Sequence, residues 1–430
     1  MMTGIRNYLI KPRSIAPLAI VRIVFGAVLF ISTLRFIAKG WVRDFYITPK
    51  YHFPFYGFEW LHPLGPTGMY TVYGLMALAA LCISIGAFYR VATVLFFFCF
   101  VYAELLDKTY YLNHYYLVTL MSFLLIFAPA NRKWSVDVRL WPSLRADQAP
   151  SWAILMFKYQ LCIIYFCAGL SKLTADWLLH AEPLRIWLPA KASTPLIGPL
   201  LRQEWAAYFF SWAGALFDLS IPFLLMSRRT RRVGYVLVVI FHTLTAVLFQ
   251  IGMFPYLMMS ATLIFFFDGQ AVATVQPVRE IKGFRLALLG AYFLLQVITP
   301  FRFLLYPGDL LWTEEGYRFS WRVMLMEKGG TTFFYVKNPE TGRKFEVNNR
   351  SFLTAYQERM METQPDMMLQ YAHILERYYK EQGVARPEVT VQSYVTLNGS
   401  GSRLYIDSTV NLAAQQESWF GHKAWVLPRK

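Results

Sequence analysis

The sequence is poor in charge and poor in cysteine. Only 16% of its 430 residues are Asp, Glu, Lys or Arg, against roughly 25% in an average soluble domain. That shortfall excludes a soluble enzyme and a disordered chain. The four cysteines, Cys82, Cys99, Cys162 and Cys167, all stand inside apolar runs and none lies in the polar C-terminal third, so no disulfide scaffold exists outside a membrane. Acidic residues are scarcer than basic ones, 26 against 42. The resulting net charge of +16 does not mark a nucleic-acid binder, because the basic residues sit mainly in short loops between apolar runs, where they encode orientation. Zinc spacing, a phosphate loop, a nucleotide fingerprint, a nucleophile elbow, internal repeats and low-complexity tracts are all missing. Any catalysis must rest on scattered polar groups at membrane depth.

What is present is apolar: 56% hydrophobic residues, 18% aromatics and a mean hydropathy of +0.36. Nine runs approach the ~20 residues that carry a helix across a ~30 Å hydrocarbon core. They cover about 16–36, 69–88, 91–106, 115–130, 152–170, 206–226, 233–250, 252–267 and 284–304. The spacing predicts an α-helical polytopic membrane protein of about nine transmembrane helices, with the first span retained because no small-residue cleavage site follows it. An inward N-terminus gives inner loops with fifteen basic residues: Arg6, Lys11, Arg13, Arg90, Arg132, Lys133, Arg139, Arg145, Arg228, Arg229, Arg231, Arg232, Arg279, Lys282 and Arg285. The longer outer connections carry nine, so the positive-inside rule supports this orientation and an outward C-terminus. The chain then divides into a transmembrane domain, 1–305, and an outward-facing α+β domain, 306–430. In the latter, 331–347 reads as a β-hairpin, 352–382 as helix broken once at Pro365, and Asn398-Gly399 as the turn of a second hairpin. Asn349 and Asn398 open formal glycosylation sequons, which arise often by chance.

Polar residues inside a bilayer are expensive and are read as functional by default. Asn113 and His114 stand at a membrane boundary amid tyrosines; an aromatic belt explains the tyrosines, while an adjacent amide and imidazole can polarise a carbonyl or phenol oxygen. Lys172 ends the fifth run, as an anchor that reaches toward water or as a desolvated amine able to act as a base. His242 lies midway along the seventh run, a core histidine or a site residue. Beyond it, Gly252, Met253, Phe254, Pro255 and Met258 form either an apolar slot for a ring or a tight interhelical turn. Arg22 reads as one half of an intramembrane ion pair, with Glu104 and Asp218 as possible partners.

Several segments together resemble vitamin K-dependent gamma-glutamyl carboxylase: LDKT with NHYYL, FAPANRKWSVD, AGLSKLTADW, FH followed by LFQIGMFPYLM, and GYRFSW. They run in family order along the chain, through what is called the horizontally transferred transmembrane domain and the lumenal-type domain behind it. The resemblance implies a membrane enzyme, a carbon-carbon lyase, that uses reduced vitamin K (a naphthohydroquinone), O2 and CO2, and no metal. It would couple oxidation of the quinol to its epoxide with γ-carboxylation of glutamyl residues in an exported peptide or protein. By the same resemblance Lys172 deprotonates the quinol, Asn113 and His114 contact it, and His242 matches a family histidine. Phe254, with Met253 and Met258, falls in the segment lining the quinone pocket, and Trp321 and Met324 belong to the SW motif region beside it. Membrane lipid and a quinone-reducing system are the further partners. The runner-up is a membrane quinone-binding redox protein that leaves glutamate alone; a peptide groove at Tyr317, Trp321 and Met324 facing Lys172 favours carboxylation. After the SW motif this chain reads Trp321-Arg322-Val323-Met324-Leu325-Met326, without the Met-Met pair and histidine of animal members, and their inter-domain disulfide has no counterpart. The chain is also much shorter than an animal enzyme.

Overall fold

A computed structural model describes residues 7–249, 251–267 and 283–429; Arg6, Gln250, Arg279 and Lys282 lie outside the described residues. Among the described residues seven helices are long and apolar enough to cross a membrane. These are α1 (Ala16–Ala38), α2 (Gly65–Ile85), α3 (Tyr89–Leu106), α5 (Ser151–Ser171), α6 (Glu204–Met226), α7 (Arg231–Leu248) and α9 (Gly283–Leu305). The other two expected spans are apolar helices but shorter, α4 (Asn113–Phe127) and α8 (Phe254–Phe265). At 1.5 Å per residue they reach only about 22 and 18 Å, short of the hydrocarbon core. The shortfall lies at their ends: α4 stops at Phe127, ahead of Pro129, and α8 closes in the 3₁₀ turn Thr262–Phe265. Leu112 is extended immediately before α4, and a proline in the first turn of α8 fixes where that helix begins.

The chain reverses at each helix, so that alternate ends gather at the C-terminal domain. The ends of α3 and α5 and the starts of α4 and α8 all reach it. At the opposite end the fully buried Arg22 of α1 gathers main-chain carbonyls. It donates through Nε to Ala130 O at 3.1 Å, through Nη1 to Ile83 O and Ser84 O at 2.9 and 2.5 Å, and through Nη2 to Trp134 O at 2.6 Å. The expected ion pair of Arg22 is therefore corrected. Its partners are the orphan carbonyls at the end of α2 and in the 130–134 loop, which a guanidinium with five donors satisfies without a carboxylate. Asp218 is engaged elsewhere.

Beyond α9 an antiparallel sheet has the order β4-β3-β5-β6, with β3 Lys328–Lys337, β4 Lys344–Glu346, β5 Glu388–Leu397 and β6 Arg403–Leu404. The two short strands earlier in the chain, β1 (Pro12–Ser14) and β2 (Gln148–Pro150), pair with each other. Both expected hairpins form, and Asn398 and Gly399, at φ +49° and +72°, take the left-handed conformations that a tight hairpin turn requires. The central pairing, β3 with β5 from Lys328↔Leu397 to Lys337↔Glu388, joins segments far apart in sequence. Helices α10 (Ala355–Met361) and α11 (Pro365–Glu381) are separated where the sequence places Pro365, now in the first turn of α11. Asn349 and Asn398 are buried, their amides donating to Thr332 O and Asp176 Oδ2, so neither sequon presents a free side chain.

Candidate active site

The site is built on a close approach between α5 and α6. A Cβ on Gly169 would lie 2.8 Å from the backbone nitrogen of Leu219, so only glycine lets the two helices meet there. Three residues on, Lys172 caps α5, and beside Leu219 stands Asp218. Lys172 Nζ lies 2.7 Å from Asp218 Oδ2, and both side chains are buried. The ammonium also donates to Ala168 O at 3.4 Å and stands 5.4 Å from the centre of the Trp177 ring. That indole is fixed by its own Nε1, which donates to Ser211 O at 2.8 Å, and the Ser211 hydroxyl donates back to Trp177 O. Lys172 therefore does not reach toward water; it is neutralised in place.

The pair faces a cavity between α5, α6 and α7. Tyr165, His242, Phe254, Met258 and Met324 share its wall, which is otherwise mainly aliphatic and aromatic. Tyr165 OH and His242 Nε2 share a 2.9 Å hydrogen bond, while His242 Nδ1 is buried with no partner. His242 thus lines the cavity with one ring nitrogen engaged and the other enclosed in protein.

Asn113 and His114 line a second, more open cavity, with Arg35, Trp41 and Met253. The two cavities share Ile251, Phe254, Val323 and Met324 as a common wall. The Phe254 ring centre is 6.1 Å from that of His114 and 5.8 Å from that of His242, so one phenylalanine separates the two imidazoles. Met253 is fixed on the far side by Ser32, whose hydroxyl lies 2.7 Å from its sulfur.

Phe319, Trp321 and Met324 all have φ near +60°, a costly backbone for residues with a Cβ. Asn113 and Tyr111 hold that segment down. Asn113 Nδ2 donates to Arg322 O at 3.0 Å, the Tyr111 hydroxyl donates to Asn113 Oδ1 at 3.2 Å, and Phe319 N donates to the same hydroxyl at 2.8 Å. The Asn113 amide thus secures the wall that carries Met324, and it shares the second cavity with His114. Trp321 lines neither cavity. It is fully buried, stacked on Tyr116 at 4.8 Å, because its left-handed backbone turns the indole into the bundle while Met324 faces the site.

Sequence reasoning missed Asp218 as the partner of Lys172, and it missed Tyr165 and Val323. The signal for Asp218 was present, an acid in an apolar run, but its pairing depends on which glycine meets which helix. Among the described residues no group of three His, Cys, Asp or Glu stands close enough to hold a metal ion. Chemically, the arrangement combines an ion pair, a phenol–imidazole pair and a mainly apolar slot.

Fold and site together define a multi-pass membrane protein with a mainly apolar cavity beside an extramembranous domain. Residues 10–269 match the family model of the HTTM domain, and residues 281–430 match that of the vitamin K-dependent gamma-carboxylase lumenal domain. The chain belongs to the vitamin K-dependent gamma-carboxylase family. No solved structure matches it.

Proposed function

We propose that this protein is a vitamin K-dependent carboxylase that couples oxygenation of a reduced naphthoquinone to its epoxide with γ-carboxylation of glutamyl residues in a peptide or protein. The observation that carries the reading is the buried Lys172–Asp218 pair facing a mainly apolar cavity. A fused bicyclic ring with two oxygens suits that lining, since Phe254, Met258 and Met324 supply apolar faces and the Lys172–Asp218 pair supplies a polar contact. When bound, the quinol supplies with O2 and CO2 the chemistry that no side chain has, namely a base strong enough for a glutamate γ-proton. The protein does the rest. Lys172 receives the proton of a quinol hydroxyl, His114 orients the ring from across Phe254, Asn113 holds the Met324 wall, and the mainly apolar lining disfavours water at the reacting oxygen.

In this reading residues 1–305 form the catalytic membrane domain and residues 306–430 face outward beside the mouth. The basic loops at Arg132–Lys133 and Arg228–Arg232 lie at the opposite end, which supports an inward N-terminus. An exported glutamyl protein would then approach from the side of the sheet. The burial of Trp321 removes it from any peptide groove and favours, as a second reading, a quinone-binding redox protein that does not carboxylate.

One experiment separates the two. Purified protein is given reduced vitamin K, O2, labelled CO2 and a Glu peptide, and epoxide and fixed label are measured for wild type, for Lys172→Ala, and for Lys172→Ala with Asp218→Asn to keep the cavity charge-balanced. Carboxylation predicts both products in wild type and neither in the variants. Epoxide without label across several peptides selects the redox reading, and no epoxide in wild type rejects both.

A further inference from the structure

Lys172 is not a free base at rest. An ammonium bonded at 2.7 Å to a carboxylate has no lone pair with which to accept a proton. The lone pairs in the pair belong to Asp218. We infer that Asp218 is the terminal acceptor of the quinol proton, with Lys172 as the relay that remains an ammonium facing the oxygen left negative. This inference rests on the quinol reading of the cavity and deepens it.

The balance is simple. Lys172 gives a proton to Asp218, where a carboxylic O–H bond forms, and the amine lone pair so freed takes the hydroxyl proton as one O–H bond of the quinol breaks. No electrons change owner. Before transfer the pair is neutral and the quinol is neutral; afterwards the pair carries one positive charge beside one negative charge on the ligand. The cavity as a whole stays neutral throughout, and the separated charges remain in contact, which matters where burial makes an isolated charge costly. Lys172 alone does not combine these properties. Paired, it is no base, and without a partner it would have to remain neutral at rest in an apolar cavity.

Three features on different elements serve this pairing. Gly169 brings α5 against α6 at Leu219, the residue next to Asp218. Trp177 covers the ammonium with its ring and is itself pinned to Ser211 of α6. The Ala168 carbonyl takes a further donor of Lys172, so the ammonium is held in one orientation. Asp218 acts through Lys172 and is a positioning and proton-accepting residue.

The test is made without turnover, on full-length protein under anaerobic conditions, titrated with a reduced naphthoquinone. Two signals are read: the absorption of the ionised quinol, and the infrared band of a protonated carboxyl group formed on binding. Wild type should show both. Asp218→Asn keeps the side-chain shape but accepts no proton; it should bind quinol, lose the carboxyl band and lower the ionised fraction about tenfold or more, the equivalent of one pKa unit. Asp218→Glu should restore both signals. An Asp218→Asn protein that ionises bound quinol like wild type, or that keeps the carboxyl band, overturns the inference while leaving the quinol site intact. Wild type that binds no quinol overturns the quinol reading itself, and the inference with it.

Discussion

Lys172 stands where a lysine at a helix end has two options, to extend its stem toward water or to be neutralised where it is. The choice is made by Asp218, 46 residues away. The residue types that matter were legible because polar groups at membrane depth are rare: Lys172, Asn113, His114 and His242 are all found at or around the two cavities. Their pairings were not legible, since a pairing depends on which helix faces which. An acid in an apolar run reads equally as a partner for Arg22, whose donors go to carbonyls instead. A buried pair broken on one side leaves an uncompensated charge, at a cost of about 3–5 kcal/mol. Lys172→Met should therefore lower thermal stability markedly, while Lys172→Met with Asp218→Leu should recover most of it and still be inactive. Melting curves of the purified variants check this, and equal stabilities for the single and double variants would count against a tight pair.

At the scale of the element, periodicity and length located all nine apolar helices, and local turn chemistry located both C-terminal hairpins. Length failed for α4 and α8, because an apolar run continues past the point where Pro129 or a 3₁₀ turn changes the helix. Two substitutions probe the contacts that order the bundle. Gly169→Ala forces a Cβ to within 2.8 Å of Leu219 N; it should cost about 1–3 kcal/mol as overpacking and abolish activity by separating Lys172 from Asp218. Arg22→Leu removes four hydrogen bonds to carbonyls. Each buried acceptor left alone costs about 1–3 kcal/mol, so this variant should be among the least stable, with its loss read as a fall in Tm or in the yield of folded protein. A near-wild-type Tm for Arg22→Leu would show that water or lipid headgroups replace the guanidinium.

At the scale of the whole molecule, the membrane and C-terminal parts are joined by a buried ionic cluster. Lys108, after α3, lies 2.8 Å from Asp366, which also pairs with Arg318 at 2.5 Å. Nothing in the sequence linked these residues, for the same reason that the β3–β5 pairing was invisible: both depend on chain closure over long distances. Burial alone would raise the Asp366 carboxyl, but Arg318 and Lys108 hold it well below the ordinary carboxylate range. A carboxylate depressed in the folded state contributes stability above its unfolded pKa, about 3.9, and loses it as pH falls through the lower folded value. Docking of the two parts should therefore be constant from about pH 5 to 8 and weaken only in stronger acid. Asp366→Asn should loosen it at neutral pH, seen as faster amide exchange in α10 and α11; unchanged exchange would mean that the apolar interface alone holds the parts together.

In the proposed function, oxygenation of the quinol beside Lys172 serves to carboxylate glutamate. Its most direct test is mass analysis of a Glu peptide incubated with wild-type protein, reduced vitamin K, O2 and CO2, with quinol or O2 withheld in parallel. The account predicts a mass gain of one carboxyl group on glutamate that requires both quinol and O2. A peptide that stays unmodified while epoxide accumulates would contradict it.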